Sequence, residues 1–263
     1  MGGAEIPEQS WPLVVAHRGA SAAYPENTLP AFEGAIDAGA DLVELDVRLT
    51  ADGVPVIMHD VDVSTTTDGE GFVHQLSLAE VRDLDASGGR TDRVGVPTLE
   101  EALDLLAGRV GVNVEIKNLP GEPSFDSPAE AAAEAVVATL LGRAFPGPTL
   151  VSSFNWLSIE RVRTLDGEIP TGFLTTAAID PGAALVYARS AGHTHVLPQA
   201  PAVDAAGRGF VRQVHEAGLR LGTWTVDDPE AIERLFSWGV DAVATNDPAA
   251  AVPIRDRLRS ANA

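Results

Sequence analysis

The fold class this sequence predicts is α/β, a (β/α)8 barrel of TIM type carrying a small inserted cap, and three observations point to it. Short β-type runs alternate with helical patterns from residue 13 to residue 251. Nine such runs occur, but the second and third are joined by a turn too tight for a parallel crossover, which leaves eight parallel strands. Ionisable and aromatic residues then gather at the carboxyl ends of several of these strands, where barrels carry their working groups.

The strands fall in order at 13–17, 41–47, 54–59, 112–116, 149–152, 171–174, 194–197, 219–225 and 241–245. The 54–59 run is read as an antiparallel flap beside the second strand. Asn27 or Thr28 caps a helix through Ala31, Phe32 and Ile36, and Thr98-Leu99-Glu100-Glu101 opens another with a capping-box pattern. Gly39, Gly108, Gly218 and Gly239 are placed to end helices, and Asp227-Asp228-Pro229 reads as a helix start. Residues 60–97, rich in Ser, Thr, Asp and Gly, break this rhythm with one brief helical piece at 78–84, and are read as the cap. The whole, 1–263, is then one barrel domain.

The second strand and the flap hold the densest cluster of chemistry. A two-residue turn at Asp52-Gly53 would set Ala51 against Val54 and His59 against Asp46, with Glu44, Asp46 and His59 on one face. A three-residue loop would slip the register by one and carry His59 to the apolar side, so the two-residue turn is the expected one. Asn113-Val114-Glu115-Ile116-Lys117 likewise puts its polar side chains on a single face. Three carboxylates pointing into a barrel need a reason, and a hard divalent cation, Mg²⁺ or Ca²⁺, held by Glu44, Asp46 and Glu115 is the economical one. Taken singly, the Glu115/Lys117 pair also fits an ordinary ion pair at the barrel mouth.

Composition narrows the partners. With 18 Lys and Arg against 38 Asp and Glu, the net charge of −20 repels nucleic acid and anionic lipid surfaces. No cysteine means no disulfide framework, thiol nucleophile or thiolate metal site. The opening residues 1–8 lack the pattern of a signal peptide, and no run of about 18 apolar residues could cross a bilayer. The expectation is a cytoplasmic protein with a small-molecule partner and no membrane insertion; the sequence sets no oligomeric state.

The series His17-Arg18-Gly19, Pro25-Glu26-Asn27-Thr28, Glu44-x-Asp46, His59-Asp60, Glu115-x-Lys117 and Trp224-Thr225-Val226 resembles the glycerophosphodiester phosphodiesterase family over nearly the whole chain. The resemblance implies a (β/α)8 barrel hydrolysing glycerophosphodiesters to glycerol 3-phosphate and an alcohol. It implies His17 and His59 as general acid and base, Glu44, Asp46 and Glu115 as metal ligands, Arg18 and Lys117 on the phosphate, and Trp224 lining the alcohol pocket. Two positions depart from the family pattern. Ser64 stands before Thr65-Thr66 where Arg is usual, and Asn246 stands where Asp is frequent, a change expected to matter little to catalysis.

Two other functions fit the same residues less well. A lysophospholipase D or sphingomyelinase D-like barrel would call for disulfides and an apolar rim, and a non-catalytic barrel binding a phosphometabolite needs no pair of histidines. The remaining polar residues are given ordinary roles. His193 and His195 lack nearby carboxylates and are left out as a metal pair, His74 and His215 are read as surface or packing residues, Ser152-Ser153-Phe154 as structural, and Phe72 and Leu76 as the cap's own small core.

Overall fold

A computed structural model describes residues 12–89 and 92–262. Residues 1–8, on which the signal-peptide expectation rests, lie outside that range. Eight parallel strands close into a barrel: β1 (Leu13–His17), β2 (Leu42–Leu49), β4 (Gly111–Ile116), β5 (Thr149–Ser153), β6 (Thr171–Thr175), β7 (His195–Pro198), β8 (Arg220–Thr223) and β9 (Ala242–Thr245). The ring closes because β1 pairs with both β2 and β9. β3 (Pro55–Ile57) runs antiparallel along β2, as the flap assignment required.

The helices are α1 (Leu29–Asp37), α2 (Leu78–Arg82), α3 (Leu99–Leu106), α4 (Ala131–Arg143), α5 (Trp156–Leu165), α6 (Pro181–Ala191), α7 (Ala200–Ala206), α8 (Arg208–Glu216), α9 (Pro229–Trp238) and α10 (Pro248–Asn262). Thr28 caps α1 by accepting from the Ala31 amide, Thr98 and Glu101 form the capping box of α3, and Asp228 caps α9. Among the described residues no helix is long and apolar enough to cross a membrane.

Period 2 explains why the strands are buried on both sides. Ala16, Val43, Leu45, Val47, Val114 and Ile116 face outward into a core shared with α1, α3 and α4. The intervening residues face the barrel axis, where Leu13, Val15 and Leu42 form one apolar group and Leu150, Leu174 and Leu197 another. The same alternation that makes the outer face apolar therefore delivers Glu44, Glu115 and Lys117 to the interior.

The hairpin register differs from the sequence expectation. Val47 pairs with Ile57, Arg48 with Val56 and Leu49 with Pro55, so Met58, not His59, lies opposite Asp46; the Met58 amide donates to the Asp46 carbonyl at 2.9 Å. The loop has three residues. Thr50 and Gly53 close a turn through a 3.0 Å backbone bond, Gly53 takes φ 78°, and the Thr50 hydroxyl accepts from the Val54 amide at 2.9 Å. Those local bonds, together with the Asp52 carboxylate accepting from the Leu78 amide at 3.0 Å, outweigh the preference of Asp-Gly for a two-residue turn. His59 escapes the apolar side because β3 ends at Ile57 and the chain leaves the strand before reaching it.

Residues 60–97 carry two short 3₁₀ turns, Val63–Thr65 and Val73–Gln75, beyond the single helical piece the sequence suggests. Val56, Met58, Val63, Val73, Val81 and Leu84 form their own small core, against which Leu76 packs.

His193 and His195 have separate partners, His195 Nδ1 lying 2.8 Å from the Thr194 hydroxyl. His193 is buried with Nδ1 2.9 Å from the Thr171 hydroxyl and Nε2 3.4 Å from the Tyr187 hydroxyl. Burial, reinforced by the Arg163 charge, holds its pKa down to about 4. The unfolded chain takes up that proton below about 6.5 while the folded chain does not, so stability is full above that pH and falls as pH drops toward 4. The loss is on the order of 3 kcal/mol for a shift of this size. In urea titrations from pH 7 to 4.5, His193→Gln should flatten the decline relative to the parent; an unchanged slope would contradict this assignment.

Candidate active site

β1 delivers His17 to the mouth, and the next two residues turn the chain through left-handed backbone, Arg18 with φ 58° and Gly19 with φ 81°. A Cβ at Gly19 would stand 2.6 Å from the Ala31 carbonyl carbon, so the turn requires glycine. The strain at Arg18 aims its amide at Glu44, whose Oε2 accepts it at 2.9 Å.

Glu44, Asp46 and Glu115 bring ligand atoms within 4.8 Å of one another, all three side chains buried. Asp46 is held from several sides: Asn27 Nδ2 donates to its Oδ2 at 2.8 Å, Arg18 Nε lies 3.2 Å away, and Lys117 Nζ 3.6 Å. Lys117 also pairs with Glu115 at 2.7 Å, the ion pair that the sequence left open beside metal ligation. Among the described residues no cationic side chain forms a salt bridge with Glu44, and its Oε1 is buried without a hydrogen-bond partner. An orphaned carboxylate oxygen beside two further carboxylates is what an all-oxygen divalent site offers.

Electrostatics sharpen this. Burial, then the charges of Asp46 and Glu115, push the Glu44 carboxyl well above the ordinary range. Burial raises Glu115 to about 6 despite Lys117. Burial acts the same way on Asp46, but Lys117 and Arg18 overcome it and hold that carboxyl below its usual value.

The two histidines face this cluster with different partners. His59 Nδ1 lies 2.8 Å from the Asp60 carboxylate, and its backbone carbonyl accepts from Arg48 Nε at 2.8 Å. Arg48 in turn grips Glu122 with two bonds of 2.6 and 3.0 Å and donates to the Lys117 carbonyl at 3.2 Å. His17 Nδ1 lies 2.8 Å from the amide oxygen of Asn246. Burial lowers the pKa of both rings.

A cavity of about 620 Å³ opens over these groups and continues down between the two apolar groups inside the barrel. Trp224 lines it, anchored by its Nε1 donating to the Leu197 carbonyl at 2.9 Å and packed edge-on against Phe154 with centroids 5.3 Å apart. Of the site residues named from the sequence, His17, Arg18, Glu44, His59, Glu115, Lys117 and Trp224 line this cavity, while Asp46 is buried behind it against Arg18 and Lys117. Among the described residues of 61–97 none lines this cavity, and Ser64 is exposed in its turn. Ser152 and Ser153 are structural, donating to Asn113 and to the Ile116 carbonyl.

Four residues of the site were given no such role from the sequence. Asn27 cradles Asp46, although the sequence offered it as a helix cap and within the Pro25-Glu26-Asn27-Thr28 motif; Arg48 and Glu122 brace His59 and Lys117; and Asn246, whose exchange for Asp was expected to matter little, touches His17 directly. Arg48 and Asn246 carried a signal in strand parity, since Arg48 follows Glu44 and Asp46 by twos and Asn246 follows Ala242 and Ala244. Glu122 carried none.

A barrel whose mouth joins a buried carboxylate trio to two histidines, an arginine and a lysine is of the phosphoryl-transferring hydrolase type. Residues 17–250 match the glycerophosphoryl diester phosphodiesterase family. A glycerophosphodiester phosphodiesterase of Caldanaerobacter subterraneus subsp. tengcongensis is 33% identical over 246 residues, covering 90% of this chain and 94% of that one. One of Bacillus subtilis is 34% identical over 256 residues, with 90% and 84% covered. Among solved structures, an Oleispira antarctica phosphodiesterase in complex with the product sn-glycerol-3-phosphate superposes with a TM-score of 0.84 at 31% identity, covering 94% of this chain and 97% of that one. The chain belongs to the glycerophosphoryl diester phosphodiesterase family.

Proposed function

We propose that this protein hydrolyses glycerophosphodiesters to glycerol 3-phosphate and an alcohol such as choline or ethanolamine. The observation that carries the reading is the convergence of His17, His59, Arg18 and Lys117 on the cavity lined by Glu44 and Glu115, whose carboxylates form a trio with the buried Asp46. The relative solved with sn-glycerol-3-phosphate supports the glycerol side of the substrate. Glu44, Asp46 and Glu115 would hold Mg²⁺ or Ca²⁺, which supplies charge neutralisation of the phosphate oxygens.

The chain's own residues do the rest. Arg18 and Lys117 bear on the phosphoryl oxygens, where donors aimed at developing charge act most strongly. His17, whose Nδ1 meets a neutral amide, is suited to stay uncharged and take the proton of the attacking hydroxyl. His59, whose Nδ1 meets the Asp60 carboxylate, has a partner that favours the protonated ring against the burial that lowers its pKa, and is placed to pass a proton to the leaving alkoxide. The same base serves attack by water or by the adjacent glycerol hydroxyl. Trp224 and Phe154 offer an apolar wall to the alcohol carbons.

The test is release of glycerol 3-phosphate from glycerophosphocholine and glycerophosphoethanolamine, read by coupled oxidation. Turnover should vanish with EDTA and return with excess divalent cation. No release from any glycerophosphodiester with metal restored would overturn the reading. Faster turnover of lysophosphatidylcholine would move it to a phospholipase D.

A further inference from the structure

We infer that Asn246 and Asp227 form a positioning pair that fixes His17 in the tautomer with its proton on Nδ1 and its free lone pair on Nε2. The inference deepens the diesterase reading, on which the base role of His17 rests.

The argument follows the donors and acceptors around one amide. Asp227 lies just before α9, and its carboxylate receives three bonds: the Asn246 backbone amide donates to Oδ1 at 2.7 Å, the Thr245 hydroxyl to Oδ1 at 3.0 Å, and Asn246 Nδ2 to Oδ2 at 2.7 Å. An ionised carboxylate only accepts, so the NH₂ end of the Asn246 side chain must face Asp227. The carbonyl end is thereby turned to His17, with Oδ1 2.8 Å from Nδ1. A carbonyl oxygen also only accepts, so Nδ1 must carry the hydrogen. In a neutral imidazole the lone pair then sits on Nε2, the nitrogen with which a base takes a proton.

Further contacts hold the same arrangement. The Ser21 hydroxyl lies 3.0 Å from the same Asn246 oxygen and 2.8 Å from the His17 carbonyl, tying the amide to the backbone that carries the ring. Burial and the neighbouring Arg18 charge hold the His17 pKa below its ordinary value, which favours the neutral ring in which the tautomer matters. His59 meets a carboxylate at the corresponding nitrogen, and a carboxylate stabilises a charged ring more than an amide does. The two histidines thus receive different second partners, and Asn246 is the one suited to an uncharged ring. An aspartate at position 246 would bring two carboxylates to the 2.7 Å contact now made with Asp227, so the amide and the acid are required together.

The experiment reads the ring nitrogens of His17 by long-range proton–nitrogen correlation in ¹⁵N-labelled protein with Mg²⁺ present, the signals being assigned by their loss in His17→Gln. The expected result is a protonated Nδ1 and an unprotonated Nε2 in the parent protein. Asn246→Leu, which removes the acceptor, and Asp227→Ala, which frees the amide to turn over, should each shift the population toward Nε2–H. In both, kcat should fall on the order of 10²-fold while KM stays within about threefold. The exchanged pair Asp227→Asn with Asn246→Asp restores an acceptor at Nδ1 and should return the proton to Nδ1, with the ring's pKa raised by the new carboxylate. A proton on Nε2 in the parent protein, a tautomer unchanged in both single variants, or an altered tautomer with undiminished kcat would each overturn the inference. The nitrogen signature requires no turnover, so its failure and that of the diesterase reading are told apart.

Discussion

Replacing Glu44 with Gln should abolish phosphodiesterase activity while making the cation-free protein more stable. Both results come from one side chain. Glu44 is buried beside Asp46 and Glu115 with one oxygen unpartnered, and burial and those charges raise its pKa well above 4.5. Folding therefore pays a cost to ionise it. A carboxyl whose folded pKa is raised destabilises as pH climbs: the cost is absent below the unfolded value near 4.5 and complete once pH passes the raised folded one. The amide removes the cost and keeps an oxygen to accept from the Arg18 amide. In EDTA at pH 8 the melting temperature of Glu44→Gln should rise, by about 2–4 °C for each kcal/mol relieved, and the gain should disappear near pH 4.5. Added Mg²⁺ or Ca²⁺ should raise the melting temperature of the parent and not of the variant, since only ligand binding to the folded state stabilises it. Activity should fall by at least about 10³-fold. A variant that melts lower than its parent in EDTA, or still gains stability from the cation, would refute the role given to Glu44.

The second large effect separates the two histidines. His17→Ala and His59→Ala should each lower kcat on glycerophosphocholine by about 10²–10⁴-fold, the range for loss of a general acid or base. They should differ with the leaving group. A nitrophenol leaves readily without a proton, so His59→Ala should regain most of its rate on a glycerophospho-nitrophenyl diester, whereas His17→Ala should not. The reversed pattern would exchange the two roles, and equal recovery would show that neither is confined to one step.

Several parts of this site were legible before folding because they depend on nearest neighbours in sequence. The alternation through Glu44, Asp46 and Arg48, or through Asn113, Glu115 and Lys117, is a property of one strand, and a strand buried on both faces must send those polar side chains to the barrel axis. The caps at Thr28, Thr98 and Asp228 are equally local. The hairpin shows where that reasoning stops. Asp52-Gly53 prefers a two-residue turn, but the Thr50 hydroxyl and the bond from Leu78 to Asp52 stabilise a loop of three, and the register moves by one residue. His59 still reaches the site because the strand ends first.

The closed barrel, its eight parallel strands and the clustered carboxylates were determined by the sequence alone, since alternation and spacing along the chain specify them, whereas the pairing of His17 with His59 followed only from the resemblance to a known family. What only the tertiary structure decided was which group each of these side chains meets. Asn246 lies 229 positions from His17, and Glu122 lies 74 from Arg48. Such pairs form where strand ends and loops from distant parts of the chain converge on one rim, and no local pattern reports them. That convergence turned the Asn246 amide, a substitution of little apparent weight, into the partner of His17, and left one oxygen of the Glu44 carboxylate without a partner among the described residues.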